Sequence, residues 1–234
     1  MKKVIVGLAL VLSFVQAGKI YATFDVKAAR SANLAFSANG IVKSVNVDIN
    51  DVVKKGDILA ELSNDDMKAS LKAAEISLKY AKKDYDRQLS VKDVTNQAML
   101  DKFAMRYEST QAQVAIKKAF LDKTILKAPF DGIIVSKNIE VGDSVSAARP
   151  MVLFQIESVG KNKLILKIDQ KYFGTVKKGN IFAYKIDGQK EYKSTKITKV
   201  YKTIDPRSRT FGAEAMVDGL ASGLFGDGYI ESGE

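Results

Sequence analysis

The chain has no cysteine, no histidine and no tryptophan, and only 3 prolines in 234 residues. Without cysteine there is no disulfide and no thiolate nucleophile, and without histidine the side chain that most often moves protons near neutral pH is missing. Asp205, Arg207 and Arg209 form a charged segment, but no nucleophile–base pair accompanies them, so a structural turn is expected there and no catalytic residue. Soft-metal ligands are reduced to the scattered Met67, Met99, Met105, Met151 and Met216, which read as packing residues. No enzyme activity, cofactor or metal is expected. After residue 15 no stretch approaches the ~18 apolar residues of a membrane-spanning helix. Negative charge is also scarce, with 27 Asp+Glu against 37 Lys+Arg and a formal net charge of +10. That balance suits an anionic lipid surface or an acidic partner. No nucleic-acid motif is present, and nucleic acid is not expected as a partner.

The start of the chain has the grammar of an export signal. Met1, Lys2 and Lys3 supply positive charge, residues 4–15 form an apolar run of about 12 residues, and Val15-Gln16-Ala17 places small side chains before a cleavage point. Residues 1–17 are therefore read as a signal peptide, with an uncleaved anchor as the alternative. The rest is long enough to bury a sizeable core, as one domain or a few small ones.

What the chain does contain is an internal repeat. Residues 40–53 read G-I-V-K-S-V-N-V-D-I-N-D-V-V, and residues 132–145 read G-I-I-V-S-K-N-I-E-V-G-D-S-V. Gly40/Gly132, Ile41/Ile133, Ser44/Ser136, Asn46/Asn138, Asp51/Asp143 and Val53/Val145 are identical without a gap. In the first copy Val45, Val47 and Ile49 alternate with Ser44, Asn46 and Asp48, the pattern of a half-buried strand. Neither copy can bury its apolar face alone. The two are expected to form one pseudo-symmetric β unit, since two copies are too few for a solenoid.

Between the copies, residues 64–121 hold no proline or glycine. Met67, Leu71, Ala74, Leu78, Ala81 and Tyr85 recur at steps of four and three, a heptad seam of period about 3.5. Ser90, Asp93, Thr95 and Asn96 compete with the backbone for hydrogen bonds and favour a break near residues 89–95, with Thr95 able to cap a second helix. That helix has a looser seam of Phe103, Tyr107, Thr110, Val114 and Leu121. The expectation is an antiparallel helical hairpin with arms of roughly 26 residues, each projecting roughly 40 Å. Short strands with turn signals between residues 163 and 230 suggest a small β-barrel. The fold class is thus mainly β with an inserted α-helical coiled-coil hairpin.

A split β motif around a helical hairpin resembles the periplasmic adaptor subunits (membrane fusion proteins, HlyD/RND type) of bacterial tripartite efflux pumps. The resemblance is carried by Gly40-Ile41-Val42 through Lys54-Lys55-Gly56-Asp57, by Lys127-Ala128-Pro129-Phe130-Asp131-Gly132 with Val141-Gly142-Asp143, and by Asp205-Pro206-Arg207-Ser208-Arg209-Thr210-Phe211. Leu224 and Gly228 resemble a closing turn of the barrel. The resemblance implies a split lipoyl (barrel-sandwich hybrid) domain plus the barrel. On that reading residues 18–62 are an N-terminal strand and first lipoyl half, 63–123 the hairpin, 124–158 the second lipoyl half and 159–234 the barrel. A membrane-proximal domain is expected to be absent or reduced.

The implied function is a periplasmic, inner-membrane-associated adaptor that links an inner-membrane transporter to a TolC-like outer-membrane channel as a homo-oligomer (trimer or hexamer). Arg87, Leu89 and Thr95 at the hairpin tip are the implied channel contacts. The transporter is expected to be proton-driven (RND), with an ABC exporter or type I secretion system as the alternative. A biotinyl or lipoyl carrier domain is a reading of another class. Such carriers hold a modified lysine at the point where this chain inserts its hairpin, within Met-Lys-Met or Asp-Lys-Ala, and neither tripeptide occurs here.

Overall fold

A computed structural model describes residues 18–91, 96–149 and 151–231, so residues 1–17, read above as a signal peptide or anchor, lie outside the described residues. In chain order the elements are β1 (Lys19–Ala28), β2 (Ser31–Leu34), β3 (Gly40–Val45), β4 (Val52–Val53) and β5 (Ile58–Leu62). The helices α1 (Asp65–Ser90) and α2 (Gln97–Asp122) follow. After them come β6 (Ile125–Lys127), β7 (Gly132–Lys137), β8 (Ser144–Val145) and β9 (Phe154–Glu157). The last five strands are β10 (Lys161–Asp169), β11 (Ile181–Ile186), β12 (Lys193–Asp205), β13 (Thr210–Asp218) and β14 (Phe225–Glu231). Arg30–Val159 is one compact unit, and among the described residues 18–29 and 160–231 make a second.

In the Arg30–Val159 unit the two repeat copies exchange strands. β3 of the first copy pairs with β8 of the second through Gly40↔Val145 and Ile41↔Ser144. β7 of the second pairs with β4 of the first through Gly132↔Val53 and Ile133↔Val52, the same register with the copies swapped. The turns repeat too. Asp51 Oδ2 accepts the Asp48 N–H at 2.7 Å, and Asp143 Oδ2 accepts the Glu140 N–H at 2.8 Å. Asn50 N–H donates to the Ile134 carbonyl at 2.8 Å, and Gly142 N–H to the Val42 carbonyl at 3.0 Å. Both turn residues are left-handed, Asn50 at φ 72° and Gly142 at φ 96°, a region that Asn and Gly enter at least cost. The resulting sheets, ordered β2-β9-β7-β4 and β6-β5-β3-β8, enclose a core that includes Phe36, Leu59, Leu62, Ile134, Phe154 and Ile156.

The second unit is a closed barrel of order β1-β10-β13-β12-β11-β14. Read from the sequence, residues 18–62 group an N-terminal strand with the first lipoyl half, and β1 is that strand. It lies instead in the barrel, between β10 and β14. The cause is edge closure: without β1 those two strands would each present a row of unpaired backbone groups. Ile20, Ala22, Phe24, Val26 and Ala28 alternate inward and are buried, and Phe24 meets Phe182 and Tyr184 edge-on at 5.7 Å and 5.6 Å between ring centres. Gly228, read above as part of a closing turn, sits within β14, where a Cβ would come within 2.2 Å of the Ala183 carbonyl oxygen. It permits close strand approach rather than a turn. The segment after β12 is the expected turn. Asp205 Oδ1 accepts the Arg207 N–H at 2.8 Å and its carbonyl accepts the Arg209 N–H at 2.8 Å. The Arg207 hydrogen bond holds the Asp205 carboxyl below the usual range.

Candidate functional site

The hairpin stands on a buried polar lock. Asn64, the N-cap position of α1, makes no side-chain cap of its own helix. Its Nδ2 donates instead to Thr124 Oγ1 at 2.8 Å and to Glu61 Oε1 at 3.0 Å, and the Thr124 hydroxyl donates to the Leu121 carbonyl at 2.7 Å. The start of α1 is thereby tied to the residues closing α2. Two ion pairs flank the lock, Lys68–Glu61 at 2.6 Å and Lys43–Asp65 at 2.8 Å. The lysine hydrogen bonds, from Lys68 and Lys43 respectively, pull the Glu61 and Asp65 carboxyls below their ordinary values. Thr124→Val keeps the shape but leaves one of the two Asn64 Nδ2 hydrogens without its partner while Glu61 holds the other, and an unsatisfied buried donor costs about 1–3 kcal/mol. Urea unfolding should show a loss of about 1–2 kcal/mol. An unchanged midpoint would mean that the lock contributes nothing.

Each helix has 26 residues, so each arm is about 39 Å long. The expected seam is the packed face. Met67, Leu71, Ala74, Leu78, Ala81 and Tyr85 are all at least half-buried, as are Phe103, Tyr107, Thr110, Val114 and Leu121. Ala81 is only 3% exposed, and Tyr85 stacks on Tyr107 at 5.7 Å between ring centres.

A second stripe on the opposite face was not anticipated from the sequence. On α1 it runs Ala69, Ala73, Ile76, Tyr80, and on α2 Met105, Ser109, Ala112, Ile116, again at steps of four and three. These side chains are open to solvent, with Ile76 47%, Tyr80 59%, Met105 66% and Ile116 50% exposed. The signal was present as a second heptad phase, diluted by alanine and serine.

At the far end, Arg87 and Leu89 are exposed in the last turn of α1, and Arg87 Nη2 lies 3.6 Å from Asp84 Oδ1. Residues two apart do not share a helix face, so the two do not converge on one spot. Arg87 continues the outer stripe. Thr95 lies outside the described residues. The cap of α2 is Asn96, not Thr95, with Asn96 Oδ1 accepting the Ala98 N–H at 2.9 Å. Asn is at least as good a cap as Thr and stands one residue nearer the first helical turn. Among the described residues no group of three or more carboxylates could hold a metal ion.

Residues 30–156 match the family described as CzcB-like, barrel-sandwich hybrid domain. Over 134 residues the chain is 30% identical to the cobalt-zinc-cadmium resistance protein CzcB of Cupriavidus metallidurans, a match spanning 50% of this chain and 26% of that protein. An uncharacterised protein of Haemophilus influenzae is 25% identical over 208 residues, covering 86% of this chain and 54% of its own. Among solved structures, a MacA–MexA chimera carrying the Pseudomonas aeruginosa MexA α-hairpin domain has a TM-score of 0.82 at 20% identity, over 92% of this chain and 79% of that one. A membrane fusion protein from Streptococcus pneumoniae has a TM-score of 0.73 at 14% identity, over 92% and 100%.

Proposed function

The chain belongs to the CzcB-like barrel-sandwich hybrid family, and on that premise we propose that it is a periplasmic adaptor of an efflux system. It joins an inner-membrane transporter of the proton-driven (RND) type to a TolC-like outer-membrane channel, for export of small molecules. It works as a homo-oligomer, a trimer or hexamer, associated with the inner membrane. The observation that carries this reading is the outer stripe on both helices. A hairpin whose own packing is complete at the inner seam has no internal use for a second apolar stripe at heptad spacing. The partners that fit such a stripe are other helices packing as a coiled coil, supplied by neighbouring copies and by the helical end of a channel. Arg87 at the head of the stripe can make bidentate hydrogen bonds to carboxylates or carbonyls there.

The test is co-expression with the channel, followed by co-purification and a measurement of efflux-dependent resistance. Ile76→Asp and Arg87→Asp should each reduce both by about tenfold or more, the scale of losing an interface contact of ~1.4 kcal/mol. Circular dichroism and Tm should not change, because both side chains are exposed. If both variants keep the channel and the resistance, the hairpin is not the docking element.

A further inference from the structure

The chain's positive charge is segregated. Residues 30–159 hold nineteen Lys or Arg against seventeen Asp or Glu, whereas residues 18–29 and 160–231 hold sixteen against nine. Within the barrel the excess falls on one ribbon. Residues 177–202, which contain β11 and its pairing with β12, carry eight lysines (Lys177, Lys178, Lys185, Lys190, Lys193, Lys196, Lys199 and Lys202), two acidic residues and no arginine. All but Lys185 are exposed. The neighbouring strands offer little neutralisation. Lys185 reaches Asp227 only at 3.9 Å and Lys199 reaches Glu214 only at 4.0 Å. Glu214 is already engaged by the Tyr201 hydroxyl at 2.5 Å. Among the described residues no carboxylate lies within ion-pairing distance of Lys177, Lys178, Lys190, Lys193, Lys196 or Lys202. Aromatic and apolar side chains are interleaved with these lysines. Tyr192 is 53% exposed beneath Lys185, and Ile181 on β11 lies opposite Lys196 on β12, on the outer side of the barrel. Tyr229 on β14, opposite Ala183, extends the patch.

We infer that the outer side of the β11–β12 ribbon binds an anionic lipid bilayer surface. The residue types favour lipid over an acidic protein. Protein interfaces are enriched in arginine, whose planar fork fixes carboxylate geometry, and depleted in lysine. A diffuse layer of headgroups asks only for mobile point charges on long stems, and tyrosine is a residue of the bilayer–water boundary. No helix among the described residues is long and apolar enough to cross a membrane, so this would be a peripheral contact of the barrel. The inference rests on the membrane-associated placement proposed above and adds the face and the ligand chemistry.

Flotation of the full chain with vesicles tests it. Binding is expected to vesicles of phosphatidylcholine containing phosphatidylglycerol, not to phosphatidylcholine alone, and to fall as salt is raised. Each lysine near such a surface is worth about a fivefold change in partitioning. Joint replacement of Lys190, Lys196, Lys199 and Lys202 by Gln should therefore reduce binding on the order of 100-fold or more. The same number of replacements in the other unit, at Lys54, Lys55, Lys79 and Lys118, should change it only a few-fold. Both variants retain residues 1–17, so any contribution from that segment cancels. Equal loss in the two variants would reduce the effect to net charge. Binding that ignores lipid charge, or a ribbon variant that floats as the parent does, would overturn the assignment and leave the ribbon for an acidic protein surface. The assay needs neither channel nor transporter, so its failure and that of the adaptor reading are distinguishable.

Discussion

Phe24→Ala is expected to destabilise the barrel by about 3–5 kcal/mol, the cost of deleting a buried aromatic side chain. Phe24 is fully buried and makes the edge-on contacts with Phe182 and Tyr184 that fill one part of the barrel interior. The substitution also tests which unit owns β1. Hydrogen exchange should accelerate in the neighbours β10 and β14, while α1, α2 and the two sheets around them stay protected. Faster exchange in β3, β5 and β7 with the barrel unchanged would return β1 to the half-motif unit.

The second large effect separates two glycines that the repeat makes equivalent. A Cβ on Gly132 would come within 2.4 Å of the Glu157 carbonyl oxygen and 2.9 Å of Ile156 Cγ1. A Cβ on Gly40 meets only the Leu62 side chain, at 3.2 Å. Backbone cannot rotate away as a leucine can. Gly132→Ala should therefore cost about 3 kcal/mol, at the upper end of overpacking penalties, by forcing β7 from β9. Gly40→Ala should cost less than about 1 kcal/mol. Thermal or urea unfolding of the two single variants decides it. Equal losses would show that the copies are packed alike and that the difference in room has no energetic weight.

Side-chain periodicity made much of this fold legible. The heptad seam from Met67 to Tyr85 and its partner from Phe103 to Leu121 could be read because a helix writes its buried face into the spacing. The matched turns at Asp51 and Asp143 could not: the alternation from Ser44 to Ile49 reads as a strand, but β3 ends at Val45 and Ile49 is exposed in the turn that the Asp51 carboxylate holds. The reciprocal pairing of β3 with β8 and β7 with β4 lay one step further, since two copies can sit side by side or interlock with the same residues. What stayed hidden was non-local. The role of β1 depends on strands made at the other end of the chain. Asn64 looks like an ordinary helix cap until Thr124 is placed beside it. At the tip, Arg87 and Leu89 are near in sequence but point to different faces of α1, and the cap one would assign to Thr95 belongs to Asn96. The outer stripe was overlooked because alanine and serine weaken a pattern that only exposure makes conspicuous.

The placement of β1 also has a consequence for the order of assembly. The helical hairpin is an insertion in the sandwich, and the sandwich is itself an insertion in the barrel. β1 is the first of these strands to be synthesised, yet its two partners are β10 and β14, the latter the last of the described strands. Such pairings between chain-distant segments are slow to form and leave strand edges exposed meanwhile. The Arg30–Val159 unit can finish while β1 is still waiting. In the nascent protein, the outermost layer of the nesting is therefore expected to close last, and a slow phase in refolding should report on the pairing of Lys19 with Glu231 rather than on the long helices.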